Sequence, residues 1–130
     1  MLIFMVAGSE NNFIERRRHP RYEVRYIVKV WLDERILCGT VINISEGGAG
    51  ILLPIVLPIG RIINLEIEGM PGGEAIEKIK LKAKIVWMHN EEFLPGMYRG
   101  GLEITDIDDR DLDILRSHIK KLKEQQEKQH

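Results

Sequence analysis

One cysteine, Cys38, stands among 130 residues. No internal disulfide can form, so the fold must hold by its core, and a reducing, cytoplasmic setting fits. Cys38 falls in an apolar alternating run. A buried structural thiol is expected there, since a nucleophile needs electropositive, partly exposed surroundings. An excess of charge is also missing: 19 basic side chains face 20 acidic ones, for a net charge of −1. That balance argues against a general polyanion binder and confines any basic chemistry to a local patch. Aromatic residues are scarce at 6%. With several needed in the core, too few remain for a base-stacking nucleic-acid surface. No long hydrophobic run occurs. MLIFMVAG (1–8) is too short to span a bilayer and lacks a basic flank before it. No membrane insertion is expected. Residues 1–14 read as an N-terminal arm or extra strand, with a partner-contact surface as the sharper alternative. Catalytic signatures are lacking too. His19, His89, His118 and His130 form no recognised metal spacing with Cys38 or a carboxylate. Neither a GxSxG elbow nor a phosphate loop is present. Enzymatic activity and a bound cofactor or metal are therefore not expected.

What is there is chiefly alternation. In KIKLKAKIVW, Lys78, Lys80, Lys82 and Lys84 interleave with Ile79, Leu81, Ala83 and Ile85. That places ammonium groups on one face of a strand and apolar groups on the other. The lysines read as a solvated outer face that discourages aggregation rather than as an anion-binding stripe. Further strands are expected at 25–32, 36–44, 48–54, 62–69 and 97–104, separated by Gly and Pro punctuation. The period then changes. Leu112, Leu115, Ile119 and Leu122 form one helical stripe. Asp108 is the candidate N-cap, and Lys120, Lys121 and Lys123 suit the far end of the helix dipole. Residues 124–130 are polar all round and are expected to fray. Six short strands and one terminal helix predict a mainly β, closed or nearly closed antiparallel barrel.

Two short stretches carry candidate chemistry. ERRRHPRY (15–22) belongs to a window holding five of the ten arginines. The guanidinium fork matches phosphate oxygens and the O6/N7 edge of guanine. Pro20 biases His19 away from helix, so the segment is expected to be extended. Alone, the cluster reads as a solvated basic linker. NISEGGAG (43–50) lies between two strand runs. Asn43 and Ser45 can bond local backbone, and Gly47, Gly48 and Gly50 permit close approach. Alone, it reads as an ordinary turn.

Together, Arg17 and Arg21 fit RxxxR, and Asn43, Ser45 and Gly48 fit [D/N]xSxxG. The pair, in this order around the first strands of a small barrel, resembles the PilZ domain, a family of bacterial receptors for cyclic di-GMP. ISEGGAGILLP, the IVW strand end and YRGGLEITDIDDRDLDILRSHI extend the resemblance over roughly residues 15 to 122. It implies a six-stranded antiparallel, Greek-key, split-barrel-like fold with a C-terminal helix. The domain would span 15–123, with a polar tail at 124–130. It implies that Arg17 and Arg21 meet phosphate and guanine, with Arg16 and Arg18 contributing. Asn43 and Ser45 would bond the ligand, and Gly48 would permit the turn. Trp87 is a candidate for stacking on guanine, with a core or rim role as the alternative. Asn43 offers one acceptor where an aspartate would offer two, so a lower affinity is expected. The implied function is a non-enzymatic receptor that signals by ordering its arginine arm, with an unidentified downstream protein partner. The chain could act as monomer or homodimer. The alternatives are a PilZ-fold interaction module that does not bind the nucleotide and a small nucleic-acid-binding barrel.

Overall fold

The computed structural model describes residues 20–69 and 76–128. The expected N-terminal arm, Arg16, Arg17 and Arg18 lie outside them. Six strands form: β1 Tyr22–Leu32, β2 Arg35–Ile44, β3 Gly48–Leu53, β4 Ile62–Gly69, β5 Ile79–Asn90 and β6 Tyr98–Ile107. Helix α1, Asp109–Lys128, follows directly. All pairings are antiparallel, and the ring β1-β2-β3-β6-β5-β4 closes through β1 and β4. The spatial run β4-β1-β2-β3 is a Greek key. The segment from Pro54 to Arg61 makes its long connection, tied to β5 where the Gly60 amide donates to the Ile85 carbonyl at 2.7 Å.

Alternation builds the core. Val24, Tyr26, Val28, Val30 and Leu32 of β1 are all buried. Ile79, Leu81, Ala83 and Ile85 are likewise buried. Lys78, just before β5, and the lysines within the strand face outward against acidic neighbours. Lys78 Nζ lies 3.0 Å from Glu66 Oε1, and Lys84 Nζ lies 3.6 Å from Glu103 Oε1. The Glu66 carboxylate accepts a hydrogen bond from Lys78 and attracts its charge, which raises the lysine pKa above its usual value.

Three expectations need correction or adjustment. Cys38 is exposed, not buried. Leu37, Gly39 and Val41 carry the inward phase of β2, and Cys38 stands on the outer face opposite Lys29. The helix stripe is rotated. Asp111, Leu115, His118 and Leu122 are buried, whereas Leu112 and Ile119 are only half-buried. His118 enters because its Nε2 and the hydroxyl of buried Tyr26 share a hydrogen bond, with the rings tilted 5.5 Å apart. A polar group tolerates burial when it is bonded. Finally, the described helix runs through Glu124–Lys128, a run of good helix formers, and residues 129–130 of the expected tail lie outside the described residues. Asp108 does sit at the N-cap position, its carbonyl accepting from the Leu112 amide at 2.8 Å.

Candidate ligand site

Strand register brings the last residue of the first motif beside the second. Tyr22 stands opposite Ile44. Arg21, one residue before Tyr22, therefore lies beside Ser45, one residue after Ile44. Arg21 is half-buried. Residues separated by more than twenty positions thus meet at one edge of the barrel, and of the candidate arginines Arg21 is the one described there.

The turn from Ser45 to Gly48 is built from its own side chain. The Ser45 amide donates to the Gly48 carbonyl at 2.9 Å. The Ser45 hydroxyl oxygen accepts from the Gly48 and Gly47 amides at 3.1 and 3.3 Å. Its proton lies toward the Gly48 carbonyl, 3.3 Å away. Ser45 is buried, and in this geometry its hydroxyl shapes the turn. Gly48 is required by packing: a Cβ there would sit 2.1 Å from the Leu102 carbonyl oxygen. Backbone cannot step aside as a side chain can. On the neighbouring strand, the Ile104 amide donates to the Gly47 carbonyl at 2.9 Å.

A row of outward-facing residues leads away from this turn. Asn43 pairs with Gly50, Gly50 with Gly101, and Gly101 with Trp87. The row crosses β2, β3, β6 and β5, about 14 Å at the usual strand spacing. Two register shifts make it possible. Strict alternation would send Asn43 to the same face as buried Val41, and Trp87 to the face of buried Ile85. The pairing slips between Val41 and Asn43 and again between Ile85 and Trp87. Each bulge re-aims its polar or aromatic residue outward. The two glycines form the floor. A Cβ on Gly50 would meet the Asn43 side chain at 2.5 Å, and one on Gly101 would meet the Trp87 Nε1 at 2.1 Å. Both glycines are buried beneath the Asn43 and Trp87 side chains, and the face above this row, with Asn43 at one end and Trp87 at the other, is here termed the trough. Trp87 is half-buried and stacks on His89, with centroids 4.9 Å apart and planes 16° from parallel.

Asn43 Oδ1 is shielded from solvent yet has no hydrogen-bond partner among the described residues. An unmet buried acceptor costs about 1–3 kcal/mol, so the position favours a ligand that brings a donor. Arg25 supports this end. Its Nη1 donates to the Val24 carbonyl at 2.7 Å and the Ile42 carbonyl at 3.3 Å. These carbonyls belong to the irregular stretches of β1 and β2, so one guanidinium clamps both. At the turn, Glu46 Oε1 accepts from Arg116 Nε of α1 at 2.7 Å.

A groove of about 460 Å³ lies elsewhere, along Trp31, Asn64, Lys80, Lys82 and Asp106. It contains no residue of either motif. The trough is the better candidate because Arg21 and the Asn43–Gly48 motif meet at its edge and its end carries the unmet acceptor. Among the described residues, no group of three or more His, Cys, Asp or Glu could hold a metal ion. Nor is any described helix long and apolar enough to cross a membrane.

Of the residues named from sequence, Asn43, Ser45, Gly48, Gly50, Arg21 and Trp87 lie along this row or at its edge, whereas Gly101, His89, Arg25 and Glu46–Arg116 were not singled out for it. Gly101 was legible only as part of a Gly-Gly pair, and His89 only as the second residue after Trp87. Their joint meaning depends on register.

Known proteins share this fold. The family model for the PilZ domain matches residues 15–121. An uncharacterized protein of Aquifex aeolicus (strain VF5) is 28% identical over 114 residues, covering 86% of this chain and 52% of its own length. The Bacillus subtilis inhibitor of motility MotI/DgrA superposes with a TM-score of 0.66 at 23% identity, covering 82% of this chain and 51% of that one. The PilZ domain of Escherichia coli YcgR, solved with c-di-GMP, gives a TM-score of 0.68 at 18% identity, covering 88% and 96%. The chain spans about half the length of the first two proteins. With six antiparallel strands closed into a barrel, one C-terminal helix and a family match over most of its length, the chain belongs to the PilZ domain family.

Proposed function

We propose that this chain is a non-enzymatic receptor for cyclic di-GMP and that the trough between Asn43 and Trp87 receives the nucleotide. The observation that carries this is the shielded, unpartnered Asn43 Oδ1 at the edge where Arg21 and the Ser45–Gly48 turn meet. Cyclic di-GMP carries two phosphate charges and two guanines. A guanine N–H satisfies the Asn43 acceptor. Arg17 and Arg21 supply charge and a bidentate fork to phosphate or to a guanine edge, and Arg16 and Arg18 contribute charge. Trp87 offers its indole for stacking. Ser45 and Gly48 act by fixing the turn.

Ligand binding draws the arginine segment over the barrel, and the surface so formed is what a downstream protein reads, a disorder-to-order switch. Such a receptor acts in the cytoplasm. The test is isothermal titration of the purified chain with cyclic di-GMP at low salt, alongside Arg17→Ala and Arg21→Ala. Saturable binding by the wild type and weaker binding by both variants, with unchanged circular dichroism, is expected. No heat at high micromolar ligand would sink the reading, and equal binding by all three would remove the arm from it.

A further inference from the structure

Glu46 poses a problem for the reading above. It lies inside the turn that edges the trough, between Ser45 and Gly47, where a dianion would have to approach a carboxylate. Helix α1 answers it. Arg116 reaches across 70 positions of sequence to place Nε 2.7 Å from Glu46 Oε1. Both side chains keep contact with solvent, at 36% and 58% exposure. An exposed pair of this kind adds little to stability. Its effect on an approaching anion is different, because it sets a positive charge 2.7 Å from that carboxylate at the rim.

The position of Arg116 is not accidental to the helix. Leu115 is fully buried beside it and His118, two residues on, is bonded to Tyr26 of β1. The helix is thereby seated on the barrel, and Arg116 is presented from a fixed base. Across the same turn, Glu103 stands opposite Gly48 and is met by Lys84 at 3.6 Å. Two carboxylates beside the turn thus each have a cation from a neighbouring element.

We propose that Arg116 is a positioning and charge-screening residue for the trough: it neutralises Glu46 so that a dianionic nucleotide can settle against the Ser45–Gly48 turn. The inference rests on the trough being the cyclic di-GMP site. It assigns to the C-terminal helix a direct share in ligand affinity, beyond packing.

The experiment is titration of the full chain with cyclic di-GMP at low and at high salt, for the wild type, Arg116→Ala, Arg116→Lys, Glu46→Gln and the double variant Glu46→Gln/Arg116→Ala. Thermal melts check that each folds. Arg116→Ala should bind on the order of three- to tenfold more weakly at low salt, the difference shrinking as salt screens it. Arg116→Lys should lose less than Arg116→Ala. Glu46→Gln should bind at least as well as wild type, and the double variant should recover to within about twofold of Glu46→Gln. If Arg116→Ala binds like wild type, the inference fails while the receptor reading stands. If Glu46→Gln weakens binding as much as Arg116→Ala, the pair is a structural clamp and the screening role is wrong. If the wild type does not bind at all, the receptor reading fails first and takes this one with it.

Discussion

Replacing Gly101 with alanine puts a methyl carbon where the Trp87 indole lies. The added Cβ would stand 2.1 Å from Nε1, 2.5 Å from Cε2 and 2.7 Å from Cδ1. Reaching ordinary contact requires the ring to retreat by about 1.3 Å or rotate away from the floor. Because the obstacle is a half-buried side chain rather than backbone, the fold should lose only about 1 kcal/mol. Binding should suffer more. A base stacked on an aromatic ring contributes about 1–3 kcal/mol, so displacing the indole should weaken cyclic di-GMP roughly five- to 150-fold. Trp87→Ala should lose a similar amount by removing the ring outright. The assay is calorimetric titration of the wild type and both variants, with a thermal melt to separate affinity from stability. Affinity within twofold of wild type for both variants would refute the reasoning, because the indole over Gly101 would then lie outside the ligand surface.

Other perturbations test other parts of the account. Arg21→Ala removes a charged hydrogen-bond donor contributing about 1.5–3 kcal/mol, so affinity should fall about ten- to 150-fold by titration, with circular dichroism checking the fold. Gly48→Ala drives a Cβ to 2.1 Å from the Leu102 carbonyl oxygen. Backbone must move, and urea denaturation should show a loss of about 1–3 kcal/mol or more. Tyr26→Phe leaves the buried His118 without the hydroxyl and should cost about 1–3 kcal/mol in the same assay; no change would mean that the bond does not seat the helix. The raised pKa of Lys78, caused chiefly by the hydrogen bond it donates to Glu66, implies a pH dependence. The folded state holds the ammonium proton more tightly, so the contribution is full below 10.5, the ordinary value. It is lost as pH rises through the higher folded value. Wild type should therefore lose more stability at strongly alkaline pH than Lys78→Met, measured by denaturation at pH 8 and above 10.5.

The barrel was legible because its strands alternate cleanly. Val28 and Val30, or Leu81 and Ile85, face inward at every second position, and Gly and Pro mark most gaps between strands. Helix α1 was legible from its change of period, but its exact face was not. Hydrophobicity placed Leu112 and Ile119 in the stripe, whereas the hydrogen bond to Tyr26 brings His118 inward, and such a bond depends on a residue 92 positions away. Cys38 was misjudged because both phases of its strand carry apolar residues, so composition could not say which phase faces the core. The motifs carried the site's identity through resemblance to a family. They could not carry its shape. That comes from two bulges, which reverse the facing of Asn43 and Trp87, and from Gly50 and Gly101 meeting by register. The ion pair of Glu46 and Arg116 was hidden for the same reason: neither residue carries any local sign of the other.

The central claim is that cyclic di-GMP binds in the trough between Asn43 and Trp87. The most direct test is titration of the isotope-labelled chain with cyclic di-GMP, followed by amide and indole nuclear magnetic resonance shifts. The account predicts saturable shifts at Arg21, Asn43, the Ser45–Gly50 turn, Gly101 and the Trp87 indole, with the Trp31 indole unmoved. Absence of shifts at high micromolar ligand, or shifts confined to the groove along Trp31, Asn64 and Lys82, would contradict it.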